Sequence, residues 1–213
     1  DAEDNGGETA FGDFIKATAA GIRAKITAPL ANKPVRVVDG REANMMLYRR
    51  SEWVRMVTAW GKLFRRELLE TERFPDVKLH EDEALIYKLL YRSRQVAMVD
   101  GALYLYTANQ GGLMAKRFTP ERMTMLDILD ERLAFYRENG ETGDLIRFTQ
   151  NRQFMFAAEY YLHAADNKPF RRKARKKQWA LYWPLMRSSY WLRRKLVYTY
   201  AMLLPGHFKK LYF

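Results

Sequence analysis

The chain has 213 residues, 48% hydrophobic, 14% aromatic and 29% charged, a composition that suits one or two folded domains and excludes global disorder and fibrous repeats. It has no cysteine, which excludes disulfide scaffolds, thiolate zinc sites and thiol nucleophiles, and its histidines, His80, His163 and His207, are scattered outside any H-E-x-x-H spacing. The net charge of +12 looks like a nucleic-acid footprint until it is divided along the chain, while no apolar run reaches the roughly 18 residues of a spanning helix.

In chain order, residues 1–40 begin Gly-rich and acidic, DAEDNGG being no signal peptide, and then carry Pro29 and Pro34, which predicts loop with a short helix over 14–22. Helical spacing follows over 40–50. Residues 54–60 read as a short strand leading into a helical turn at 65–70, and Arg73-Phe74-Pro75 breaks that turn. Glu81, Asp82 and Glu83 open a helix running to about Arg94, with Ile86, Leu89 and Leu90 on its apolar face. Two short β runs, 96–99 and 103–106, flank the turn-forming pair Asp100-Gly101. Gly111-Gly112 marks a loop. Thr119-Pro120-Glu121 predicts a helix start with a hydroxyl N-cap, Asn139-Gly140 ends that helix, and another spans about 144–165. Pro169 and the basic run 171–177 open a tail that Pro184 and Pro205 divide into two helical pieces.

The charge is unevenly distributed. Residues 167–213 hold 13 Lys/Arg and no Asp/Glu, which leaves 24 basic and 25 acidic residues in positions 1–166. The same tail is rich in Trp and Tyr. Lys and Arg gain about 1 kcal/mol each near an anionic leaflet, and Trp and Tyr settle at headgroup level. An anionic membrane surface would then be met by Arg171, Arg172, Lys173, Arg175, Lys176, Lys177, Trp179 and Trp183. Helices packed on the body, with Leu181, Leu185, Leu192, Leu196 and Met202 inside and a solvated basic face outside, explain the pattern equally well. Nucleic acid is the least favoured partner, and self-association through the tail is a further reading.

The carboxylates at 81–83 and the loop Asn109–Gly112 are not specific alone, because the helix dipole favours acids in a first turn and Asn-Gln-Gly-Gly is an ordinary turn sequence. Their order is more specific. Trp60-Gly-Lys-Leu-Phe, then Arg73-Phe-Pro, then His80-Glu-Asp-Glu, then Asp100-Gly-Ala-Leu-Tyr-Leu-Tyr resembles the second half of bacterial family-2 glycosyltransferases over about residues 50–140.

That resemblance implies an α/β, helix-rich fold: residues 1–115 as the acceptor-side part of a GT-A domain, and 116–213 as a helical C-terminal region. It implies inverting sugar transfer from a nucleotide-sugar donor to a lipid-linked or saccharide acceptor, in the building of a bacterial surface polysaccharide. Asp82 would be the base and Glu81 its neighbour, with Trp60, Lys62, His80, Gly111 and Gly112 near the substrates. The enzyme would be cytoplasmic or peripheral at the inner face of the membrane. A divalent cation, Mg or Mn, would sit on an Asp-x-Asp motif in an upstream nucleotide-binding half. This chain shows no such motif, so the expectation is the C-terminal portion of a longer enzyme, inactive by itself. Family members often have Arg directly after the second tyrosine and Ser before the next apolar pair, whereas Thr107 and Gly112 stand here. Diphosphate binding in that loop would thus fall to backbone N–H groups. The alternative is a non-enzymatic basic module that binds membrane, nucleic acid or protein.

Overall fold

The computed structural model describes residues 8–17, 34–107, 119–164 and 167–212. The protein is α/β and helix-rich, and it divides into two compact units, one drawn from residues 1–77 and 81–116, the other from 78–80 and 117–213.

In the first unit, β1 (Thr9–Ala17), β2 (Val35–Val38), β3 (Lys62–Phe64) and β4 (Val96–Thr107) form a mixed sheet in the order β2-β4-β1-β3. β1 and β4 run parallel at the centre, and β2 and β3 are antiparallel edges. Consecutive buried residues, Ala10-Phe11 in β1 and Val96-Ala97-Met98 in β4, show that both faces of this central pair are covered there. Between the strands lie α1 (Gly40–Met46), α2 (Trp53–Val57), α3 (Arg66–Thr71) and α4 (Glu81–Arg92). α4 is the hub of the unit. Its Leu85, Ile86, Tyr87, Leu89 and Leu90 are buried, and α1, α2 and α3 all pack on it.

The ends of α4 are fixed closely. A Cβ on Gly40 would lie 2.3 Å from the Leu90 carbonyl oxygen and 2.4 Å from that of Ser93, so only glycine lets α1 start against the last turn of α4. Thr9 and Ser93 share a buried hydroxyl hydrogen bond of 2.7 Å, tying the start of β1 to the same place.

Three expectations for this unit are corrected. Residues 9–17 are a strand where a loop and the start of the helix over 14–22 were expected, because their pairing partner is β4, far away in sequence; the rest of that expected helix, 18–22, lies outside the described residues. The expected strand over 54–60 is instead the one-turn helix α2, in which Met56 and Val57 are buried and Trp53, one turn before Val57, reaches Glu83 on α4. Asp100-Gly101 does not separate two short strands. Phe11 pairs with Met98 and Asp13 with Ala102, so β4 carries extra residues across a bulge that contains the pair.

The second unit is helical. A 3-10 turn at Pro120–Met123 leads into α5 (Thr124–Glu138), followed by α6 (Asp144–His163), α7 (Lys168–Arg187), α8 (Leu192–Leu203) and α9 (Pro205–Tyr212). Thr119 makes no capping hydrogen bond with its side chain, and the α-helix begins only after the turn, later than the sequence predicts. One core cluster gathers Leu126, Leu129, Ala157, Tyr160 and Ala174, and a second gathers Phe154, Leu181, Leu185, Tyr198, Met202 and Phe208. Buried Gln153 donates to the Leu126 carbonyl at 2.7 Å and to Asp130 at 2.8 Å, joining α5 to α6. α7 runs through Pro184 because the missing N–H falls in its last turn, on an exposed side.

Leu181, Leu185 and Met202 are inside as expected, whereas Leu192 and Leu196 are not. The core side of α8 is Tyr198, Ala201 and Met202, which turns Leu192 and Leu196 outward. Among the described residues, no helix is long and apolar enough to cross a membrane.

Candidate active site

The carboxylates that open α4 meet the loop between α2 and β3. That loop turns at Gly61, whose φ of 71° lies in the left-handed region, and so presents Trp60 and Lys62 on either side of it. Trp60 stacks on Tyr104 and Tyr106, with centroid distances of 4.6 and 5.4 Å. The two tyrosines are two residues apart on β4, hence on one face of the sheet, and give the indole a platform.

His80, with φ 69°, immediately precedes α4 and groups with the second unit. The three following acids have three different environments. Glu81 is exposed. Glu83 is buried and accepts a hydrogen bond from Trp53 Nε1 at 3.1 Å, a structural role. Asp82 is half-buried, and its Oδ1 accepts from the Ala59 N–H at 3.1 Å. A helix N-terminus and a backbone donor both favour the ionised carboxylate. Burial outweighs them and, reinforced by the neighbouring charge of Glu81, pushes Asp82 up to about 6.

Lys62 is its counterpart. Nζ donates to the carbonyls of Arg55 at 2.5 Å and Thr58 at 2.6 Å and stands 4.8 Å from the centroid of the Phe11 ring. Burial lowers this amine to about 7, with Arg55 adding to the effect and Asp82 opposing it. Arg55 is itself paired with Glu52 at 3.4 Å and lies over the same Phe11 ring at 5.4 Å. Segment 55–62 therefore anchors both a carboxyl group and an amine whose protonation changes close to neutral pH. With one oxygen held by an amide, the carboxylate can take a proton from a hydroxyl that reaches the other.

The structure thus brings Lys62 and the loop residues Ala59 and Trp60 to Asp82, with Glu81 exposed beside it. Gly111 and Gly112 lie outside the described residues. Sequence reasoning missed the Ala59 N–H and the Arg55 and Thr58 carbonyls, since backbone donors and acceptors carry no residue signature. It also missed Phe11, which arrives on a distant strand. Among the described residues, no group of three His, Cys, Asp or Glu is placed to hold a metal ion. The divalent cation that the resemblance implies is expected on an upstream Asp-x-Asp motif and not on the acids of α4, of which Glu83 accepts from Trp53 and Asp82 from Ala59.

On α7 in the second unit, Arg171 donates to the Tyr161 hydroxyl at 3.0 Å and Arg175 to the Met202 carbonyl at 2.6 Å. Lys173 pairs with Asp127 at 2.8 Å, and Lys177 pairs with Asp130. Arg172, Lys176, Trp179 and Trp183 are exposed.

No protein-family model matches the chain. Over 86 residues, 40% of its length, it is 33% identical to the glycosyltransferase GlyA of Streptococcus pneumoniae serotype 4 (strain ATCC BAA-334 / TIGR4). It spans 12% of that relative's length, about one eighth. Over part of its length, then, the chain is similar to a glycosyltransferase.

Proposed function

We propose that Asp82 is the general base of an inverting glycosyl transfer, in which a hydroxyl of a lipid-linked or saccharide acceptor attacks the anomeric carbon of a nucleotide-sugar donor. The reading rests on the half-buried Asp82 carboxyl group, held through Oδ1 by Ala59 and raised to about 6 beside Lys62. The order of motifs that resembles the GT-A family-2 enzymes supports it, as does the partial similarity to GlyA. In-line attack forms the new C–O bond as the bond to the diphosphate breaks. The hydroxyl proton passes to the free oxygen of Asp82, and a base whose pKa lies near the working pH combines a large ionised fraction with adequate proton affinity.

Lys62 holds the loop in place through its two carbonyl contacts, and its positive charge keeps Asp82 from rising further. The Trp60 face on its tyrosine platform offers an apolar surface for a sugar ring. Bacterial surface polysaccharide synthesis is the setting we propose for this chemistry.

In the natural polypeptide that carries this sequence, Asp82→Asn should cut turnover about 10²-fold or more while leaving nucleotide-sugar binding within about twofold. Unaltered turnover would remove Asp82 from the mechanism.

A further inference from the structure

We infer that the outward faces of α7 and α8 form one surface that docks on an anionic lipid bilayer. On α7 the buried residues are Ala174, Gln178, Leu181 and Leu185. The opposite side of that helix, at intervals of three and four residues, is Arg172, Lys176, Trp179, Trp183 and Arg187, all exposed. On α8, Leu192, Leu196 and Leu203 share a stripe at i, i+4 and i+11 that points away from Tyr198 and Ala201 and leaves them 72%, 59% and 72% exposed. Trp191, 87% exposed, stands at the start of that helix.

The two stripes are joined. Tyr182 packs edge-on against both Trp179 and Trp183, at 5.9 and 5.3 Å, and its hydroxyl lies 3.0 Å from that of Thr199, which sits on the leucine stripe between Leu196 and Leu203. The result is continuous apolar and aromatic surface bordered by cations.

Charge decides the occupant. The whole segment 167–213 lacks an acidic residue. On α7, Lys173 and Lys177 are paired with Asp127 and Asp130 of α5, while Arg172, Lys176 and Arg187 have no ion pair among the described residues. Outward tryptophans and leucines among unpaired cations match a bilayer interface, with headgroup phosphates outside and acyl chains just beneath. A surface built for a nucleic-acid backbone has no need of three exposed leucines on one stripe. The inference does not depend on catalysis at Asp82.

The test is flotation with vesicles of phosphatidylcholine alone and of an equal mixture of phosphatidylcholine and phosphatidylglycerol. The chain should float with the mixed vesicles only, with a blue shift of tryptophan emission. R172E/K176E/R187E should lower partitioning about 10²-fold, and W179S/W183S/L196S about tenfold or more. All six positions are exposed, and unchanged circular dichroism establishes that both variants are folded. Equal recovery with both vesicle types, or flotation insensitive to both variants, overturns the inference. So does mass by light scattering that rises with concentration and falls in W179S/W183S/L196S while flotation is absent, since a second copy then covers the surface. A salt-sensitive complex with RNA or DNA tighter than that with the mixed vesicles also overturns it.

Discussion

Asp82 and Lys62 both sit where their charged forms are disfavoured, and the sign of each effect is fixed by the direction of its shift. The folded pKa of Asp82, about 6, exceeds its ordinary value of 3.8, so between those values the folded chain binds more protons than the unfolded one and stability falls as pH rises. The folded pKa of Lys62, about 7, lies below its ordinary 10.5, so across that window the unfolded chain binds more protons and stability rises with pH. The pair is therefore least favourable to folding between pH 6 and 7, the range in which a base must work. The Asp82 shift alone corresponds to about 3 kcal/mol, which its partial exposure to water reduces to about 1 kcal/mol. Asn at position 82 can still accept from the Ala59 N–H. Asp82→Asn should thus raise stability by about 1 kcal/mol at pH 7, with the gain vanishing toward pH 4. Urea unfolding of both proteins across pH measures this, and a gain that does not change with pH would contradict it. The carboxyl group and the amine were legible in the sequence as part of an ordered set of motifs. Their environment was not, because the groups that set it are backbone atoms of 55–59 and a ring on β1.

At the scale of elements, two glycines carry the geometry of the first unit. Gly40→Ala forces a methyl group into the carbonyls of Leu90 and Ser93 and should destabilise by about 1–3 kcal/mol or more, read as a lower urea midpoint with an unchanged slope. A neutral substitution would mean that α1 and α4 do not meet as described. Gly61→Ala has space for its methyl group, 3.4 Å from Tyr104 Cβ, but not the backbone freedom. It should lose about 1 kcal/mol from φ strain and, by shifting Trp60 and Lys62, lower turnover beyond what stability explains. Helices with local signals could be read directly: α4 from its acids, and α5 and α6 from Asn139-Gly140 and apolar spacing. β1 could not, and β4 reads as two short runs instead of one strand. Their pairing is remote in sequence, and the bulge at Asp100-Gly101 looks like a hairpin turn until the partner strand is known. α8 misled in a different way, since a leucine stripe reads as core and only the competing stripe of Tyr198, Ala201 and Met202 shows which side is inside.

At the scale of the whole molecule, the chain has a nearly neutral portion that carries the candidate base and a basic tail whose exposed residues suit a lipid surface. The tail's contribution is electrostatic at long range and apolar at contact. Vesicle recovery should fall between about 0.05 and 0.5 M salt yet stay above that of R172E/K176E/R187E at the low end. Recovery insensitive to salt would contradict the electrostatic part. Whether the molecule uses Asp82 as a base is decided most directly by the pH dependence of kcat in the natural polypeptide carrying this sequence, with and without Asp82→Asn. The unmodified protein should show an acid limb near pH 6, and the variant should turn over about 10²-fold more slowly with that limb gone. An identical limb in both proteins would contradict that role for Asp82.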